Sequence, residues 1–405
     1  MGIIRNLFWG SIARDHNRRT HRIRNRLFGH IPYEGNVVIC GGNTSRTSTA
    51  SYIKRESFLN YLTAEAEAGR PAVCIYSDDN LTPDVEEIAN DPRFRDNVCF
   101  FGRTHSYIPF DANVDPLRVE QMLSRLIAGY GKRIGTYDAS VQSTVTMLLN
   151  LLRNCFPHNF YTYPNLCYLV SHLVNTGNGC NGYRFTGEME FVNWLSRETN
   201  SDVSFYVNQL TLNWNSALTS FFNFWRELES EIGSARRSGL AERSVYSCLR
   251  DRKVCIIKLS SNYNRSLVEL ILNELAFYKD YDSDYTLINY NVDLSRIADY
   301  NLLDEGRTVI IGNTLASIGM KDYNPPRASF VSLGVTAEDA NAIFGKMVAA
   351  GWWTTVTGGF GHHSQTSYAP SQQNPITANE LVNVTDGGAY IIGPRGYEQV
   401  RIMLT

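Results

Sequence analysis

The chain has 405 residues, 43% of them hydrophobic and 19% charged, with a formal net charge of −2. That is ordinary for a globular protein with an ample core, and it excludes a global electrostatic pull toward nucleic acid. Its cysteines, at 40, 74, 99, 155, 167, 180, 248 and 255, are scattered without a Cys-x-x-Cys pair. Several lie in apolar runs such as VVIC and KVCII, where the thiol acts as a small hydrophobe. This points to a reducing cytosol and away from a zinc site. No apolar run approaches the roughly 20 residues of a membrane span. The N-terminus has a short apolar part followed by arginines, and does not read as a secretory signal.

Residues 1–34 form a basic arm. From Arg5 to His30, Arg5, Arg14, Arg18, Arg19, Arg22, Arg24 and Arg26 stand against one acid, Asp15; Ile3, Ile4, Leu7, Phe8 and Ile12 suit an apolar helical stripe. Such an arm fits an anionic membrane surface, phosphates, an acidic partner, or packing on its own domain.

The segment from Asn36 to Ala50 has the outline of a phosphate-binding loop. An apolar run (Val37, Val38, Ile39) leads into Gly41-Gly42, then small polar residues, then a segment that reads as a helix from Ser51 to Thr63. That is the strand, glycine turn, helix order of a Walker A site, G-x-x-x-x-G-K-S/T. With Gly41 as the first glycine, the second falls on Arg46, the lysine on Thr47 and the metal-binding hydroxyl on Ser48. Only the first glycine and the serine survive.

Farther along, Ala72–Tyr76 reads as a buried strand ending in Ser77-Asp78-Asp79. PDVEEIANDPRF reads as a polar helix, Asn97–Gly102 as a strand and Leu117–Leu152 as helical. From 156 to 243 strand-like runs vanish and aromatic, Asn-rich amphipathic segments take over, which predicts an all-α insertion. Strands resume at Arg252–Ser261, in DYTLINYNVDLSRI, in RTVIIGNTLASIG and in RASFVSLGV. RSLVELILNELAFYK reads as a helix between the first two. TAEDANAIFGKMVAAG reads as another, with Thr336 as N-cap. GGFGHHSQTSYAPSQQNP reads as a flexible loop. A short helix, a tight Asp386-Gly387 turn and two edge-like strands end the chain. Strands alternating with helices imply a parallel sheet with helices on both faces.

This ordered set resembles the nucleotide-binding domain of the type IV coupling proteins, the hexameric conjugation and type IV secretion ATPases related to the FtsK/HerA DNA pumps. The motifs carrying the resemblance are ICGGNTSRTS at the Walker A place, IYSDD at the strand ending in aspartate, and VDPL (Val114–Leu117) at an Asn-Pro-Leu segment. The resemblance implies a RecA/FtsK-like P-loop α/β domain with a mostly parallel sheet and an all-α insertion. The α/β domain would run over 35–155 and 244–405, with the insertion at 156–243.

The resemblance places the Walker B acids at Asn289 and Tyr290, with Thr314 at a glutamine position. A second register, with Asn313-Thr314 on the acids, spoils the downstream order. Either register lacks both carboxylates. The family's membrane helices and the domain before its Walker loop have no counterpart in this sequence.

Chemically, Thr47 cannot supply the lysine charge, worth roughly 1.5–3 kcal/mol in binding and more in a phosphoryl-transfer transition state. Arg46 brings a Cβ where glycine lets the backbone approach phosphate. Asn289 is neutral, and Tyr290, with a phenol pKa near 10, is a poor base. The expected reading is therefore a pseudo-ATPase with no catalytic residue and no metal site. Gly41, Gly42, Arg46, Thr47 and Ser48 would be a vestigial phosphate loop, and Asn289 and Tyr290 a vestigial Walker B pair. Weak ATP–Mg²⁺ binding is the one cofactor left open. The expected partners are proteins of a secretion or conjugation complex, an active ATPase paralogue among the candidates. The arm (1–30) would contact nucleic acid or an anionic membrane, and the chain would be cytoplasmic or peripheral at the inner face of a membrane.

Two alternatives stay open: a divergent NTPase using Arg46 and Ser48, and a nucleic-acid binder acting through the arm. His362-His363 lacks further ligands at metal spacing. Asp78-Asp79 reads as a cap and turn or as a site at a strand's C-terminal end. Trp352-Trp353 and FFNFW read as core or interface, and no G-x-S-x-G elbow is present.

Overall fold

In a computed structural model, the described residues are 36–42, 48–134, 139–173, 205, 220–259, 265–282, 284–295, 302, 306–321, 328–349, 355–360, 363–368, 378–384, 388–393 and 396–401. The chain divides into two compact units. The first takes residues up to Phe100, Asp251–Ser261 and Lys279 onward; the second takes Phe101–Arg250 and Asn262–Tyr278.

The first unit is an α/β layer structure. Its elements in chain order are β1 (Val37–Cys40), α1 (Ser48–Ala68), β2 (Ala72–Tyr76), α2 (Thr82–Asn90) and β3 (Val98–Phe100). The second unit then contributes β4 (His105–Tyr107), α3 (Pro116–Ile134), α4 (Ala139–Cys155), α5 (Tyr163–Leu173), β5 (Ala241–Arg243) and α6 (Val245–Arg250). The chain returns to the first unit for β6 (Val254–Lys258), leaves again for α7 (Arg265–Lys279), and completes the sheet with β7 (Thr286–Tyr290), β8 (Arg307–Gly312) and β9 (Ser329–Ser332). After these come α8 (Ala337–Ala349), the pair β10 (Thr355–Phe360) and β11 (His363–Tyr368), α9 (Ala378–Val382), β12 (Gly388–Gly393) and β13 (Gly396–Arg401).

Among the described residues, nine strands form one sheet in the order β13-β12-β9-β1-β8-β7-β2-β6-β3. From β3 to β9 every neighbouring pair is parallel, and at the edge β12 pairs antiparallel with both β9 and β13. Burial explains the near-continuous apolar runs. Val37 and Ile39, Cys74 and Tyr76, Ile288 and Tyr290, and Val309 and Ile311 join a core with Ile53, Phe58 and Leu62 of α1 and Val85 of α2. The alternate residues Val38, Val73, Ile75, Leu287 and Ile310 point the other way along each strand and are buried too.

The polar residues of α1 have specific tasks. Glu65 is fully buried. It accepts Arg70 Nε at 2.6 Å and Arg70 Nη2 at 3.2 Å, and Arg307 Nη1, at the start of β8, at 2.8 Å. The Arg307 guanidinium also lies over the Tyr61 ring, 5.3 Å from its centroid. One carboxylate thus ties the end of α1 to the β8 strand.

The second unit contains the segment 156–243, for which an all-α insertion is expected, and also 101–155. Among its described residues are helices α3 to α6, most of α7, a further helical stretch over 220–232, and the parallel pair β4–β5. The FFNFW side chains Phe221, Phe222, Phe224 and Trp225 are buried, and Trp225 stacks on Tyr163 at 5.7 Å. They are core. Glu274, fully buried on α7, accepts the Tyr107 hydroxyl at 2.6 Å and the Tyr246 N–H at 3.0 Å, which anchors the start of α6.

Where a loop is expected at 358–375, an antiparallel pair begins: Phe360 faces His363 in register, and β10 and β11 run back from there to Thr355 and Tyr368. Threonine, valine and tyrosine favour the extended backbone, and the two-residue gap between the strands is a hairpin length. The arm, Arg46, Thr47, His362, Trp352-Trp353 and the Asp386-Gly387 turn lie outside the described residues. Among the described residues, no helix is long and apolar enough to cross a membrane.

Replacing Glu65 by alanine leaves two guanidinium groups without their carboxylate. The expected loss is about 3 kcal/mol of unfolding free energy, by urea denaturation, with Glu65→Gln intermediate; a loss under about 1 kcal/mol would contradict the assignment.

Candidate functional site

Parallel strands point their C-terminal ends at one edge, where α/β proteins build their sites. Here β1, β8 and β9 are neighbours, and β7 lies beyond β8. The residues that follow β8 and β9 close on Gly41. Its φ is +117°, a region closed to side-chain-bearing residues, and a Cβ there would stand 2.7 Å from Gly334 O. The Gly41 N–H donates to Asn313 O at 3.1 Å and the Gly42 N–H to Gly334 O at 2.9 Å, while Leu333 N–H donates to Cys40 O at 2.8 Å. Glycine is therefore required at 41 by the close approach of β9's loop. Ser48 opens α1, and Arg46 and Thr47 lie outside the described residues.

Beneath the turn lies a residue that belongs to no motif. Lys54 of α1 is 1% exposed. Its Nζ donates to Gly41 O at 2.8 Å and to Asn313 Oδ1. No carboxylate pairs with it among the described ion pairs. Burial pulls the ammonium down from its ordinary 10.5 to about 8, against a small opposing effect of Cys40. The Cys40 thiol is pushed up to about 12, by burial first, then by Asp339, with Lys54 opposing. Asp339, on α8, is itself raised by burial. Its Oδ1 accepts the Leu315 N–H at 3.1 Å, Oδ2 has no partner, and its own N–H reaches Thr336 Oγ1 at 3.1 Å, as an N-capped helix requires. The sequence did hold a signal for Lys54. It falls four residues from both Ala50 and Phe58, on the stripe that faces the core.

Asn289 and Tyr290, the residues expected at a Walker B place, are turned inward. Asn289 is fully buried; its Nδ2 donates to Val292 O at 2.9 Å and its Oδ1 has no hydrogen-bond partner. It closes the turn after β7, in which Asn291 adopts a φ of +56°. Tyr290 is buried with its ring edge-on to Phe58 at 5.7 Å. Burial pushes its phenol upward, reinforced by Asp78 and opposed by Arg55. Thr314 is held in a local turn, its Oγ1 accepting Ser317 N–H at 3.0 Å.

The acids nearby are engaged. Asp78 caps the turn at Asp79–Leu81 by accepting Asn80 N–H at 2.9 Å. Asp79 pairs with Lys258 at 2.6 Å, and Asp84 pairs with Arg55. Among the described residues, no group of three histidines, cysteines or acids is spaced to hold a metal ion. The edge thus offers glycine backbone, amides and one buried cation. At neutral pH neither an amide nor a phenol at 289 and 290 supplies negative charge or takes a proton.

No family model matches this chain, and no curated protein matches it.

The Lys54 shift has a definite sign. Between pH about 8 and 10.5 the unfolded chain keeps the proton that the folded chain has lost, so stability rises with pH across that window and falls again as pH returns to neutral. The span is worth about 3 kcal/mol. Relative to Lys54→Met, the unaltered chain should gain about that much between the two ends of the window in urea denaturation; identical pH slopes would contradict a buried ammonium. Gly41→Ala should cost about 2 kcal/mol or more, from strained φ and the collision with Gly334; a change within about 0.5 kcal/mol in the same measurement would refute the close approach.

Proposed function

We propose that this chain is a catalytically inactive relative of the coupling ATPases, with a RecA/FtsK-like P-loop core, serving as a structural or adaptor subunit of a type IV secretion or conjugation-like machine. The observation that carries the reading is the pair at the end of β7. The Asn289 amide is spent on the Val292 carbonyl and the Tyr290 phenol is buried against Phe58. Positions that would hold magnesium and activate water do structural work instead.

The sheet order supports the same reading. The strand before the glycine turn, the strand given the glutamine place and the strand given the Walker B place stand side by side as β1, β8 and β7. Their order in the chain matches the order the resemblance implies. Such a core would keep the assembly surfaces of an ATPase without its turnover. In this reading the protein partners belong to the same machine, the basic arm supplies contact with a partner, nucleic acid or an anionic membrane, and the chain works in the cytoplasm or at the membrane's inner face.

Millimolar ATP–Mg²⁺ is expected to leave the melting temperature unchanged, whereas binding at 100 times Kd would add about 2.7 kcal/mol. ATP hydrolysis in purified protein that disappears in Ser48→Ala would overturn the proposal.

A further inference from the structure

The three residues beneath the glycine turn form a closed circuit. Gly41 donates its N–H to the Asn313 carbonyl, and Lys54 Nζ donates to both the Gly41 carbonyl and the Asn313 side chain. Both backbone polar groups of Gly41 are thereby satisfied from within the protein. Gly42 is tied to Gly334 on the opposite side. A buried ammonium without a carboxylate is unfavourable unless something gathers acceptors around it. Here those acceptors are one from the turn and one from the end of β8. The ionisable groups near it from the packed elements are the Cys40 thiol of β1 and, acting on that thiol, Asp339 of α8.

We propose that Lys54 is a positioning residue, an internal cation that latches the glycine turn to β8 so that the turn keeps its shape with no ligand bound. In nucleotide-binding loops of this outline, phosphate draws the backbone amides into order. In this chain a side chain from the following helix performs the ordering from below. The inference rests on the scaffold reading for its meaning and on these three hydrogen bonds for its geometry.

The test is hydrogen exchange on the full chain without nucleotide, resolved at Gly41 and Gly42. Lys54→Met should speed exchange of these amides by about tenfold or more, while those of Val73 and Ile75 in β2 stay as they are. Asn313 is exposed, so Asn313→Asp leaves the core intact and places a carboxylate opposite the ammonium. It should slow exchange at Gly41 and Gly42 and move the alkaline rise in stability to higher pH. A purely space-filling lysine would not move that pH window. Unchanged exchange in Lys54→Met, or an unchanged window in Asn313→Asp, overturns the latch. If Lys54→Met does not fold, the Asn313→Asp window alone decides. Nucleotide binding by the unaltered chain would defeat the scaffold reading and leave the exchange comparison standing.

Discussion

A glycine with φ of +117°, closed in by the backbone of Gly334 on one side and Asn313 on the other, is the constraint on which this edge depends. Two parallel neighbours, β8 and β9, must end level with β1 for their loops to reach it. That level ending requires the register in which Cys40 pairs with Gly312 and Ser332. In turn, the register requires both faces of each strand to be apolar, because a parallel sheet is covered on both sides. Sheet burial, register, glycine turn and buried cation are links of one chain of necessity.

The same logic explains how this edge keeps its shape without charge at the end of β7. Asn289 and Tyr290 lie at the end of a fully buried strand, where a carboxylate pair would need cations or metal to be tolerated. An amide satisfied by Val292 and a phenol packed on Phe58 fit such a place with no counter-charge. Positive charge, by contrast, is present in Lys54, held by neutral acceptors. The polar groups of the edge are turned to internal hydrogen bonding.

Much of the first unit was legible in advance. The runs at 37–40, 72–76, 254–258 and 307–312 are too short and too β-branched for buried helices, and each is a strand. Thr336 caps its helix as its hydroxyl and the following acids indicate. Asp78 serves as a cap, one of two readings its position allowed. Other features were hidden. The β4 and β5 strands are three residues each and pair across more than a hundred positions, so no local pattern announces them. Polar α1 residues such as Glu65 look solvated until Arg70 and Arg307 are seen to enclose the carboxylate.

Sequence alone determined the alternation of strands and helices, the glycine turn after β1 and the neutral pair at 289 and 290. These follow from residue type and short-range periodicity, which act within a few positions of the chain. Tertiary structure alone decided the strand order, the fate of the Asn289 amide and the burial of Lys54 under Gly41. The strand order and the Lys54 contacts join residues whose separation in the chain carries no signal, and even the local Asn289–Val292 bond takes its strength from the exclusion of water by the packed sheet.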